Sequence, residues 1–189
     1  GERTAINGKW TKGPGIDFFN TLKHDLPDLP FIAEDLGEID QDVLNLRDSF
    51  KLPGMKVLMF AFGAEMPDSI HLPHNYPSNS IVYTGTHDNN TARGWYNQSG
   101  SSLRARLTSY LGKHPTSSSV SWDMIRLAQT SVSKTAIIPV QDILGLDESA
   151  RLNTPARSKG NWKWKLADFN DLAKATERLN KLCYYSGRI

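Results

Sequence analysis

The sequence predicts an α/β fold built on a parallel sheet, and three observations carry that reading. Short apolar runs recur at residues 31–33 (FIA), 55–62 (MKVLMFAF), 80–83 (SIVY) and 135–140 (TAIIPV). They lack strict alternation of polar and apolar residues, which suits strands buried on both faces of a parallel sheet. Stretches with helical spacing lie between and after them, and polar clusters follow the strand ends. Four such strands fit a small open sheet or half of an eight-stranded (β/α)8 barrel, since a whole barrel takes ~250 residues.

Taken in order, residues 7–15 are rich in Gly, Lys and Pro and read as loop. The first strand, Phe31-Ile32-Ala33, follows Pro27 and Pro30 and stops at Glu34-Asp35. Asp40 is a good N-cap for a helix carrying Val43, Leu44, Leu46 and Phe50 on one face. Pro53-Gly54 ends that helix before the second strand at 55–62, and Thr84-Gly85-Thr86 closes the third. Helices are expected around 103–111 and 122–132, ahead of the fourth strand. A last helix over 169–182 sets Leu172, Ala175, Leu179 and Leu182 at helical spacing.

Composition narrows the class. The 189 residues are 39% hydrophobic and 22% charged, in the globular range and large enough for a real core. A net charge of +2 gives no reason to expect nucleic acid or an acidic membrane as partner. The lone Cys183 excludes an internal disulfide framework and a multi-cysteine zinc site, and reads as a half-buried thiol on the last helix. No run approaches the ~20 apolar residues of a membrane span, and Gly1-Glu2-Arg3-Thr4 does not resemble a signal peptide. A soluble, cytoplasmic chain cut from something longer is the expectation.

Candidate chemistry gathers at the strand ends. Glu34-Asp35, His87-Asp88-Asn89-Asn90 and Gln141-Asp142 follow the first, third and fourth strands. Ligands of parallel α/β folds bind at that rim, although each acidic residue could equally cap the next helix. Facing carboxylates there would suit acetal chemistry, one protonating a leaving oxygen while another holds developing positive charge. Trp95, Tyr96, Trp162 and Trp164 read as lying in polar loops, as sugar platforms or as packing anchors.

Weaker patterns are set aside. His71-Leu72-Pro73-His74 has a metal-like spacing, but its proline spoils the helix that such ligation would use. Gly13-Pro14-Gly15 lacks the spacing of a phosphate loop, and residues 99–102 lack nucleophile-elbow glycines. The basic stretch 151–165 reads as a solvated loop.

Several blocks closely resemble one family: FIAEDLG from Phe31, LPGMKVLMFAF from Leu52, HLPHNY from His71, VYTGTHD from Val82 and QDILGLDESARLN from Gln141. In order and spacing they are similar to the amylomaltases, the 4-α-glucanotransferases or disproportionating enzymes of glycoside hydrolase family 77. Gly160-Asn161-Trp162-Lys163-Trp164 resembles that family's GNWxWR ending. The resemblance implies that residues 1–189 are the C-terminal portion of a (β/α)8 TIM barrel, its last four strands. It implies transfer of α-1,4-glucan segments from a maltooligosaccharide or starch-like donor to an acceptor glucan, with retention and with neither metal nor organic cofactor.

By the same resemblance, Glu34 matches the general acid/base and Asp88 the third carboxylate, which binds and distorts the sugar at the cleavage point. His87 matches a sugar-binding histidine, Asn153 a substrate-contacting loop residue, and Phe60 an aromatic near the acceptor. The family's nucleophile is an aspartate in an Arg-x-Asp-His block upstream of the segment that matches here. Gly15-Ile16-Asp17-Phe18-Phe19 lacks that block's Arg and His, and Asp17 reads as a helix cap. The isolated chain is therefore expected to be inactive and poorly folded, with sheet edges that want the missing N-terminal half. A plastid location stays open, since a transit peptide would lie upstream. The rival expectations are a non-catalytic glucan-binding remnant, tolerant of Glu34→Gln, and an α-glucan hydrolase needing no acceptor.

Overall fold

The computed structural model describes Thr4 and residues 6–188. The opening Gly1-Glu2-Arg3, read above for a signal peptide, lies outside them. The chain divides into two compact units, Gly1–Gly54 and Met55–Ile189.

The first unit holds two helices, α1 (Ile16–Asp25) and α2 (Gln41–Ser49). Asp40 caps α2 as expected, its carboxylate accepting from the Val43 N–H at 2.9 Å. Leu44, Leu46 and Phe50 are half-buried while Val43 stays exposed, so the apolar face is narrower than the spacing suggests. Phe50 meets Phe19 at 5.0 Å between ring centroids. Asp17 is not a cap: Gly15 holds that position, and Asp17 sits in the first turn, where its charge offsets the helix dipole.

The expected strand at 31–33 reduces to one parallel bridge between Ala33 and Gly54. Pro30 has no N–H to give a ladder, Leu29 turns the chain at φ 39°, and Phe31 donates back to the Leu29 carbonyl at 2.7 Å. Beside that bridge Asp35 is buried in an ion pair with Arg47 of α2. A side chain at Gly54 would fall on the Asp35 carboxylate, which is why the position takes glycine. Arg47→Met, which removes one partner of a buried ion pair, is expected to cost about 3 kcal/mol. Thermal unfolding checks this, and Asp35→Asn combined with Arg47→Met should recover part of the loss.

Apart from Gly54, where its first strand starts, the second unit carries a three-stranded sheet in the order β1 (Gly54–Val57), β2 (Ser80–Tyr83), β3 (Thr135–Ile137). β2 and β3 run parallel, with Ile81 opposite Thr135 and Tyr83 opposite Ile137. The run 55–62 is a strand only to Val57; Leu58–Phe60 winds into a 3-10 turn that is buried at Leu58 and Met59. An apolar turn inside the core looks like more strand. The run 135–140 is likewise cut short, because Pro139 opens the short helix α6 (Val140–Ile143).

Around the sheet lie α3 (Ala92–Gln98), α4 (Ser101–Leu111), α5 (Val120–Thr130) and α7 (Ala173–Tyr185). α5 is the central one, burying Val120, Met124, Ile125 and Ala128. With Val57, Leu58, Phe62, Leu72, Val82 and Leu107 these side chains make the core. Arg188 closes the C-terminal end of α5, donating to the carbonyls of Ala128, Gln129 and Ser131. Cys183 is half-buried on α7. Among the described residues no helix is long and apolar enough to cross a membrane.

Candidate active site

At the end of β2 the segment Thr84-Gly85-Thr86 leads into a polar turn that its own side chains fix. Asn89 Oδ1 accepts from the Thr86 N–H at 2.8 Å and from its hydroxyl at 3.0 Å. The Asn89 N–H returns to the Thr86 carbonyl at 3.1 Å, and the Asp88 N–H donates to Thr86 Oγ1 at 3.3 Å. His87 and Asp88 stand exposed at the tip. Short side-chain bonds of this kind make a turn where a strand would otherwise continue.

The loop after α6 comes back to that tip. Asn153 Nδ2 donates to the Asp88 carboxylate, and His87 Nε2 lies 3.5 Å from the same oxygen. The His87 ring faces Trp162 at 5.3 Å and 38°. Trp162 is 60% exposed. Its backbone stands at φ 60°, which costs about 1 kcal/mol for a residue with a Cβ. The Trp162 N–H to the Leu152 carbonyl, at 2.7 Å, holds it there. Asn161 clamps the same loop through bonds to Thr154 and Arg157. Arg151 donates to the backbone carbonyls of Asp88 and Asn153, each at 2.7 Å.

So the structure brings His87, Asp88 and Asn153 together although 65 residues separate Asp88 from Asn153. Phe60 has other company: half exposed beyond β1, it meets His71 edge-on at 5.5 Å. Glu34 belongs to the first unit, exposed between the bridged Ala33 and the buried Asp35. The two histidines with metal-like spacing separate: His71 Nδ1 accepts from the Val57 N–H, and His74 Nδ1 meets the Tyr110 hydroxyl. Among the described residues no group of three metal-ligating side chains forms. Trp95 and Tyr96 lie not in a loop but in α3, which Thr91 caps, and both are packing anchors, one against Phe62 and the other bonded to the Pro115 carbonyl.

Gln141-Asp142 does not join the rim. Asp142 is buried, taking the Ala92 N–H at 2.7 Å and the Thr84 hydroxyl, so it ties β2 to the start of α3. Gln141 reaches the Ala150 carbonyl at 3.3 Å. Burial pushes the Asp142 carboxyl above its ordinary range, against the pull of those two bonds. A carboxyl raised in the folded state stabilises fully below the ordinary aspartate pKa and loses that contribution as pH climbs through the folded value. Asp142→Asn should therefore flatten the fall in urea midpoint as pH climbs above the ordinary aspartate range. Asp142→Ala, leaving the Ala92 N–H without its acceptor, should cost about 1–3 kcal/mol. Identical pH slopes in Asp142→Asn and the unchanged protein would contradict this.

Two neighbours of the site escaped the sequence reading. Arg151 lies in a stretch that reads as a solvated basic loop, and Trp162 is one of four aromatics with no ground in the spacing for preferring it. The signal for both lay in the blocks that begin at Gln141 and Gly160. Chemically, the Asp88 carboxylate keeps acceptor capacity for hydroxyl donors, and the Trp162 indole offers a face to the C–H side of a sugar ring.

The 4-alpha-glucanotransferase model of glycoside hydrolase family 77 matches residues 1–171. The chain is 43% identical over 190 residues to the chloroplastic/amyloplastic 4-alpha-glucanotransferase of Arabidopsis thaliana, covering 99% of this chain and 33% of that protein. It is 44% identical over 188 residues to the 4-alpha-glucanotransferase of Aquifex aeolicus, covering 100% of this chain and 38% of that one. The solved amylomaltase of Streptococcus agalactiae in complex with acarbose superposes with a TM-score of 0.91 at 34% identity, over 99% of this chain and 38% of its own. The chain thus spans about a third of the length of the curated relatives it matches. With the family model and whole-chain identities in agreement, the chain belongs to glycoside hydrolase family 77, the 4-alpha-glucanotransferases.

Proposed function

We propose that these residues form the C-terminal portion of a (β/α)8 glucanotransferase barrel that moves α-1,4-glucan segments between maltooligosaccharides or starch-like chains. The observation that carries it is family membership along the chain, with the AEDLG and GTHD blocks intact. Glu34 protonates the oxygen of the departing glucan while an aspartate carboxylate displaces it, giving a covalent glycosyl-enzyme. Glu34, now ionised, takes the proton from the 4-hydroxyl of a second glucan, which attacks the same carbon and restores the original configuration. Asp88 and His87 hold the sugar at the cleavage point, Asn153 steadies Asp88, and Phe60 flanks the acceptor.

The nucleophile is supplied by an Arg-x-Asp-His block, which the 189 residues do not contain. The chain therefore works joined to the barrel half carrying that block. A cytoplasmic or plastid location suits this reading, the Arabidopsis relative being named for the plastid. The test is maltotriose disproportionation by the chain alone and by the protein with that half in place. The joined protein should yield glucose and longer oligosaccharides while the chain alone yields neither. Transfer by the chain alone, or hydrolysis without elongation by the joined protein, would overturn the reading.

A further inference from the structure

We propose that Arg151 is a positioning residue that sets the Asp88 carboxylate against Asn153. The inference rests on the reading of Asp88 as the group that orients the sugar. Asp88 and Asn153 come from distant loops and bond to each other through their side chains. One guanidinium joins the same two residues through their backbones, Nη2 donating to the Asp88 carbonyl and Nε to that of Asn153, both at 2.7 Å. The result is a closed circuit: Asp88 side chain, Asn153 side chain, Asn153 backbone, Arg151, Asp88 backbone.

Without the guanidinium, the tip carrying His87 and Asp88 would be tied to the second loop by the Asn153 amide and by the packing of His87 on Trp162, neither of which fixes the Asp88 backbone. That amide competes with water, because Asp88 is exposed. Arg suits the place because its donors diverge in a rigid plane, whereas the single ammonium of Lys has no such fork. A carboxylate misplaced by ~1 Å costs about 100-fold in rate, because it meets the transition state in the wrong geometry. Contacts to glucan units away from the cleavage point do not involve Arg151 on this reading, so the loss falls on kcat.

The test is made on the full-length protein with two readouts. The first is the Asn153 side-chain amide pair in a 1H–15N spectrum, assigned with Asn153→Asp. In the unchanged protein these signals should be displaced from the solvent-exposed position, and in Arg151→Ala they should return to it. The second is maltotriose transfer. Arg151→Ala should lower kcat by roughly 10–100-fold with KM changed less than about 3-fold. Added guanidinium should restore part of kcat in Arg151→Ala but not in Asn153→Ala, and Arg151→Lys should fall between.

Unchanged amide signals in Arg151→Ala would overturn the proposal, as would an activity loss that only follows the loss of folded protein. If Arg151→Ala does not fold, Arg151→Gln, of lesser length change, carries the same comparison. If the unchanged protein transfers nothing, the functional reading fails, and the amide signals alone decide whether Arg151 positions Asp88 against Asn153.

Discussion

Glu34→Gln is expected to lower glucan transfer by roughly 10²–10⁴-fold, the usual contribution of a positioned general acid and base. The substitution keeps size and shape but can neither give a proton to a leaving oxygen nor take one from an acceptor hydroxyl. The fold should not suffer, because Glu34 is exposed while its neighbours carry the local structure. Ala33 is bridged to Gly54, and Asp35 is held by Arg47. The loss should depend on the leaving group. A maltosyl fluoride departs without protonation, so its glycosyl-enzyme should still form in Glu34→Gln and then persist for want of a base. Transfer from maltotriose within about 3-fold of the unchanged protein would move the proton role to another residue.

Asp88→Asn is expected to be the second largest effect, a fall in kcat of about 100-fold or more. A fixed charge aimed at a sugar losing its leaving group is worth roughly 3 kcal/mol once the bound sugar itself displaces water from the carboxylate. The amide keeps the volume but removes the charge, and it leaves one oxygen rather than two to accept from Asn153 and from sugar hydroxyls. Asn153→Ala, which leaves the carboxylate in place with one tie fewer, should cost less, about 10-fold. The order Asp88→Asn below Asn153→Ala below the unchanged protein is the outcome to look for in single-turnover rates. A reversed order would make Asn153 the group that meets substrate and Asp88 its support.

How far the residues alone reveal this molecule depends on where each signal lies. β2 was legible to the residue because a buried run between Asn79 and Thr84-Gly85-Thr86 leaves few other readings. The runs at 55–62 and 135–140 were read too long, because a buried 3-10 turn and a helix opened by Pro139 stay apolar past the last ladder bond. At 31–33 hydrophobicity misled: Phe31 and Ile32 are substantially exposed, and the proline before them fixes a turn.

The site divides in the same way. Asp142 and Asp88 look alike as acidic residues just past a strand, and only packing separates the buried brace from the exposed tip. The meeting of Asp88 with Asn153 has no periodicity to announce it; the family resemblance named both residues, and their contact is a matter of the fold. Outside the block that begins at Gln141, nothing marks Arg151, and the reason is physical. Its guanidinium pairs with backbone carbonyls, so no complementary charge in the sequence marks it.

The most direct measurement supplies the full-length protein with maltopentaose and 13C-labelled glucose, then follows the label and the configuration of each new linkage. Segment transfer with retention predicts label at the reducing end of a series of longer oligosaccharides, joined by new α-1,4 bonds from the earliest time points. Cleavage of the donor with no label entering any longer oligosaccharide, or new bonds of inverted configuration, would contradict the account of Glu34 acting on a covalent glycosyl-enzyme.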